Sequence, residues 1–101
     1  MVRFLVLYDT PEDPAAFEAH YRQIHIPLAK KLPGLRRYTI SRDVAPVRGS
    51  GSYYLVAELD WDDMDALRQA FASAEGQATA RDVATYAGDR VRSLIYELEE
   101  V

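Results

Sequence analysis

The segment Val2-Arg3-Phe4-Leu5-Val6-Leu7-Tyr8 limits the fold more than any other, because apolar residues occupy both alternating positions along it. A strand that is apolar on both faces belongs inside a sheet, with material packed on each side. Tyr53-Tyr54-Leu55-Val56-Ala57-Glu58-Leu59-Asp60 repeats the pattern. Two further stretches read as strands. Residues 35–44 set Tyr38, Ile40 and Val44 against Arg37, Thr39 and Ser41, and residues 91–98 set Arg92, Leu94, Tyr96 and Leu98 against Val91, Ser93 and Ile95.

Two helical stretches separate these strands. After the turn Asp9-Thr10-Pro11-Glu12-Asp13, Asp13 serves as an N-cap and Pro14 takes the first helical position, where its missing N–H costs little. From there Phe17, Tyr21, Ile24, Leu28 and Leu32 fall on one stripe, which predicts a helix over about residues 14–31 with that stripe buried. Leu32-Pro33-Gly34-Leu35 ends it. Asp62 or Asp63 caps the second helix, whose Met64, Leu67, Ala70 and Phe71 share a face. Ser73-Ala74-Glu75-Gly76 interrupts it, and a further helical segment runs to about Ala87, stopped by Gly88. Ala45 to Ser52, rich in Gly and Ser, reads as a hairpin loop and the one candidate mobile segment, since no helix follows it to make a phosphate cradle.

The order is β-α-β-β-α-β, which predicts an α+β, ferredoxin-like fold: a four-stranded antiparallel sheet with both helices on one face. At 101 residues the chain makes one domain spanning residues 1–101. Two helices cover only one face of the sheet, so the other apolar parity of the first and third strands needs a cover. A second copy of the chain, closing sheet to sheet into a barrel-like homodimer, supplies it.

Both histidines lie in the first helix, within His20-Tyr21-Arg22-Gln23-Ile24-His25-Ile26-Pro27-Leu28. At about 100° per residue they fall on opposite shoulders of the buried stripe, roughly 140° apart, and do not chelate one ion together. Pro27 deprives the carbonyl of Gln23 of its helical partner and predicts a kink around His25. An imidazole partly covered there titrates near neutral pH, which makes His25 the candidate base for a ligand pocket between the sheet and the first helix. A partly exposed histidine with one hydrogen bond is the ordinary alternative, and it is the reading for His20 as a residue of this helix.

Charge and composition exclude several classes. A net charge of −4, with only the short basic pairs Lys30-Lys31 and Arg36-Arg37, argues against nucleic acid as a partner. The absence of cysteine removes disulfides, thiolate chemistry and zinc-finger sites. The apolar start is too short for a signal peptide or a membrane span, so a cytoplasmic protein with no membrane partner is expected.

In combination, Phe17-x3-Tyr21-x3-His25-x-Pro27-Leu28, Leu32-Pro33-Gly34-Leu35-x2-Tyr38 and Ser73-x-Glu75-Gly76 with Asp82 and Tyr86 downstream resemble the EthD-like family of dimeric α+β barrel proteins. The resemblance spans nearly the whole chain. It picks out Tyr21, His25, Pro27, Pro33, Gly34, Tyr38, Asp82 and Tyr86, while Arg22 stands where the family often has Trp. The wider superfamily includes cofactor-independent monooxygenases of polycyclic phenols, muconolactone isomerases and haem proteins, and the family is often labelled oxidoreductase. No histidine follows His25, which sets haem aside.

Three functions fit this reading. The first is an enzyme without metal or organic cofactor acting on a small apolar or aromatic molecule, with His25 and Tyr21 as catalytic residues and Tyr38, Tyr86, Phe17 and His20 as substrate contacts. Asp82 either orients an imidazole or caps a helical turn. The second is a non-catalytic small-molecule binder or accessory protein of a degradation or biosynthetic pathway. In the third the tyrosines are only core and interface. Oxygenation, isomerisation and dehydration remain open, because fold does not fix chemistry.

Overall fold

The computed structural model describes all residues from Met1 to Val101. Four strands, β1 (Val2–Tyr8), β2 (Arg37–Ser41), β3 (Leu55–Trp61) and β4 (Val91–Glu97), form one antiparallel sheet in the order β2-β3-β1-β4. The helical layer comprises α1 (Pro14–His20), a π-helical turn (Tyr21–His25), α2 (Ile26–Ala29), α3 (Met64–Ala72) and α4 (Ala74–Tyr86). Both predicted helical arms pack on one face of the sheet, giving the β-α-β-β-α-β architecture the sequence pattern requires. No helix is long and apolar enough to cross a membrane.

Local chemistry fixes the boundaries. The Asp13 carboxylate accepts from the Ala16 N–H at 3.1 Å, and of the two candidate caps for α3 it is Asp63 that accepts from the Ala66 N–H, at 2.8 Å. The break at Ser73 is a second N-cap, its hydroxyl accepting from the Gly76 N–H at 3.0 Å and starting α4. Gly76 is required by packing: a Cβ built there would stand 2.6 Å from the carbonyl oxygen of Phe71 and closer still to that of Ala70. β2 is shorter than the predicted 35–44, because Asp43 adopts φ of +55° and leaves only an isolated bridge from Val44 to Tyr53 before the hairpin loop. At that end Arg42 clasps Glu18 with two hydrogen bonds of 2.6 Å and Tyr54 donates to Glu18 at 2.8 Å, tying the hairpin to α1.

The core lies between sheet and helices. The register pairs Val2 with Trp61, Phe4 with Leu59, Val6 with Ala57 and Tyr8 with Leu55, all of one parity and all turned toward the helices. The opposite parity differs from expectation. On β1 it carries Leu5 and Leu7 beside Arg3, but on β3 it carries Val56, Glu58 and Asp60, because Tyr54 turns toward Glu18 and the alternation restarts at Leu55. Arg3 donates to Asp60 at 2.8 and 3.0 Å and lies 3.1 Å from Glu58, so charge occupies one end of the open face, Arg92 opposite Leu7 the other, and Leu5, Leu7, Val56 and Leu94 form an apolar centre between them.

Candidate active site

The site grows out of the irregular turn in the middle of the first helical arm. The N–H of Ile26 reaches back five residues to the carbonyl of Tyr21, so Tyr21–His25 forms one π-helical turn between two α-helical segments. Pro27 follows directly, and its lack of an N–H leaves Gln23 without the usual helical bond, which favours widening the preceding turn. The irregularity expected as a kink around His25 thus takes the form of a widened turn. Its consequence is a change of phase. Ile24, expected in the buried stripe, is 47% exposed, whereas His25 is 4% exposed and continues the buried row Phe17, Tyr21, His25, Ala29 and Leu32.

The same extra residue corrects the expected 140° separation of the histidines. Five residues apart across a π turn, His20 and His25 come onto one face and meet one carboxylate of α4. His20 donates from Nε2 to Oδ1 of Asp82 at 2.7 Å, and His25 donates from Nδ1 to Oδ2 at 2.9 Å. A carboxylate accepts only, so these contacts fix the His25 tautomer and leave the Nε2 lone pair free. No side-chain nitrogen or oxygen sealed from solvent lacks a partner, and Nε2 of His25 has none in the protein, so that atom opens onto the cavity which the residue lines. Burial holds His25 below the ordinary imidazole value, against the opposing pull of its hydrogen bond to Asp82.

Four tyrosines complete the polar wall. Tyr21 and Tyr38 share a hydrogen bond of 2.7 Å between their hydroxyls, as do Tyr8 and Tyr86. The Tyr21 ring stacks on His25 with centroids 5.3 Å apart, and Tyr86 meets the same imidazole edge-on at 5.1 Å. Burial pushes all four phenols upward, so near neutral pH they remain protonated donors.

A cavity of about 180 Å³ lies between the sheet, the π turn with α2, and the α3–α4 pair. His25, Tyr21 and Tyr38 line it, together with Phe4, Leu59 and Phe71. Phe17, His20 and Tyr86, grouped with them in the sequence as substrate contacts, face instead an open outer cleft of about 650 Å³ between the β1–α1 and α4–β4 connections. Tyr8 borders both spaces and was missed by the sequence reading. Its signal was available in strand parity, since Tyr8 shares the inward register of Val2 and Val6. Of the two roles open to Asp82, the geometry shows the first: it holds both imidazoles from within α4.

Fold and site define a small α+β protein of ferredoxin-like topology with an imidazole and tyrosine hydroxyls facing an apolar cavity. The chain belongs to the EthD family, the family model of the EthD domain matching residues 9–90. It is 37% identical over 101 residues to the uncharacterized 11.0 kDa protein of the thcB-thcC intergenic region of Rhodococcus erythropolis, covering 100% of this chain and 98% of that protein. An EthD family protein from Bacillus halodurans has a solved structure that superposes with a TM-score of 0.90 at 38% identity, covering 98% of this chain and 99% of the other. More distant structures share the fold alone. They include SnoaB, a cofactor-independent oxygenase from Streptomyces nogalater, with a TM-score of 0.67, 22% identity and coverage of 99% and 94%. A dimeric ferredoxin-like protein from Thermobifida fusca aligns with a TM-score of 0.69, 19% identity and coverage of 96% and 90%.

Proposed function

We propose that this EthD protein is an enzyme that takes a proton from a small, largely apolar molecule held in the cavity, with His25 as the general base, and that the carbanion so formed reacts with dioxygen. The observation that carries the reading is the Nε2 lone pair of His25, which opens into an apolar chamber while Nδ1 is fixed by Asp82. A binder that only needed a polar contact would not require a tautomer held by a buried carboxylate, and that favours chemistry over simple carriage.

In the proposed step the substrate C–H proton goes to Nε2 and its electron pair stays on carbon. That pair bonds to dioxygen, and His25 returns the proton to the peroxide oxygen, so the net change is R–H plus O₂ to R–O–OH. The protein's own groups supply base, orientation and exclusion of water. Tyr21 and Tyr38 are held as phenols by burial and share one hydrogen bond, so whichever hydroxyl accepts in it is left free to donate to a substrate oxygen on which charge develops. A cavity of about 180 Å³ falls below the roughly 300–1,000 Å³ of sites for drug-sized ligands, which favours a single-ring or short-chain substrate over a polycyclic one. The likeness in fold to a cofactor-independent oxygenase supports the choice of dioxygen over isomerisation. The working form is a homodimer, a second copy covering the outward face of the sheet, a reading supported by the dimeric state of the Thermobifida fusca protein of the same fold.

Oxygen uptake measured against a panel of single-ring phenols and of compounds with an acidic C–H tests this. Replacing His25 with Ala should lower the rate by about 10²–10⁴-fold, the contribution usual for a positioned base. Turnover at the wild-type rate in that variant would remove His25 from the chemistry.

A further inference from the structure

The cavity has one group besides its phenols able to take up a proton near neutral pH, and His25 is nearly sealed there. Its only counter-charge is Asp82, whose side chain is 12% exposed and is shared with His20. His20 looks the other way: its side chain is 26% exposed and borders the outer cleft. One carboxylate therefore joins an inward imidazole to an outward one.

The charge arithmetic of such a unit has a preferred answer. With both imidazoles neutral, a largely buried carboxylate stands uncompensated. With both protonated, a surplus positive charge sits beside an apolar chamber. Either excess is costly where water is scarce, whereas one imidazolium and one carboxylate sum to zero.

We infer that His20, Asp82 and His25 share a single positive charge, which rests on His20 at the outer cleft and passes to His25 when that imidazole accepts a proton in the cavity, His20 then releasing its Nδ1 proton to water. No proton crosses Asp82. One enters the unit at Nε2 of His25, one leaves at Nδ1 of His20, and the traffic reverses when His25 returns its proton. His20 is on this account a positioning residue for charge, acting through Asp82 and never touching substrate. The inference rests on the proposed role of His25 but concerns a separate property, the coupling of two titrations.

The other groups facing the unit are accounted for. On the inner side Tyr21 from the π turn and Tyr8 and Tyr38 from the sheet, and on the cleft side Tyr86 from α4, are phenols kept neutral by burial. On the outer side Asp9, Glu12 and Asp13 come from the β1–α1 connection and Asp89 and Arg90 from the α4–β4 connection, with Arg90 paired to Glu12 at 3.0 Å and Arg92 of β4 3.9 Å from Asp9. A cation at His20 keeps contact with water, where one at His25 is nearly sealed from it.

The chain has only two histidines, so ¹⁵N-imidazole NMR follows both across about pH 5 to 9 without any substrate. In the intact protein each ring should show two inflections, one of them common to both, as interacting sites do. His20→Gln keeps an N–H for Asp82 but carries no charge; in it the His25 curve should become single and move up by about one pH unit. His25→Gln should move the His20 curve up by a matching amount, since linkage is reciprocal. Independent curves in the intact protein, or a His25 curve unmoved by His20→Gln, would overturn the inference, and if that variant fails to fold the other two measurements decide. Loss of coupling with the oxygen-uptake requirement for His25 intact would sink this inference alone; the reverse result would sink the proposed reaction and leave the coupling standing.

Discussion

At the scale of single residues, the interesting quantity is the state of His25. Nδ1 is occupied by Asp82 and the ring is packed between Tyr21 and Tyr86, so the imidazole is held in one tautomer and one orientation before any ligand arrives. Burial outweighs Asp82 and depresses its proton affinity, which keeps the ring neutral and basic at neutral pH. The same depression links pH to stability. The unfolded chain binds a proton on this residue at higher pH than the folded chain does, so stability is full above the unfolded value of about 6.5 and is lost progressively as pH falls below it, until the folded value is passed. Urea midpoints taken at a series of pH values should fall over that window, and His25→Gln should flatten this limb. A limb of unchanged slope in the variant would assign the acid sensitivity to other groups.

At the scale of elements, the π turn decides which side chains are inside. The strands, the caps at Asp13 and Ser73 and the stop at Gly34 were legible because each rests on local chemistry: alternation, a short polar side chain before a helix, a residue free to adopt φ of +73°. The pairing of His20 with His25 was not, because a uniform period of 3.6 puts Ile24 inside, and only the five-residue hydrogen bond to Tyr21 rotates His25 into its place. Asp82 could be marked from the sequence but not given two partners, since those partners lie 57 and 62 residues away. The outward parity of β3 was misread for a related reason, the alternation being counted through Tyr53-Tyr54 when it restarts at Leu55. Gly76 offers a test of how closely the elements are fitted. Alanine is the better helix former by about 1 kcal/mol, yet a methyl group directed at the carbonyls of Ala70 and Phe71 should cost about 1–3 kcal/mol or more in overpacking. Gly76→Ala should therefore lower the urea midpoint, and a raised midpoint would show that α4 is free to move off the end of α3.

At the scale of the whole molecule, the chain is a slab of 34 × 34 × 19 Å. Sheets and helices stack at roughly 10 Å per layer, so 19 Å accommodates one sheet and one helical layer and nothing beyond. The outward face of the sheet is consequently surface, and at its centre Leu5 and Leu7 of β1 lie between Val56 of β3, itself 9% exposed, and the edge strand β4, where Leu94 lies opposite Leu5 and is 53% exposed. Charge lies at its two ends, Arg3 with Asp60 and Glu58 at one and Arg92, 3.9 Å from Asp9, at the other, so the apolar centre lies between ion pairs. A two-fold partner laid on this face buries the leucines and leaves the His25 cavity, which opens on the opposite side of the sheet, unobstructed. Leu94→Arg puts a cation in the middle of that contact while touching nothing in the core of the single chain, so light scattering should find the wild type at twice the chain mass and the variant at one chain mass, with circular dichroism unchanged. A wild-type protein that already scatters as one chain at micromolar concentration would mean that these leucines face water in the working molecule, and the proposed dimer would have to be abandoned.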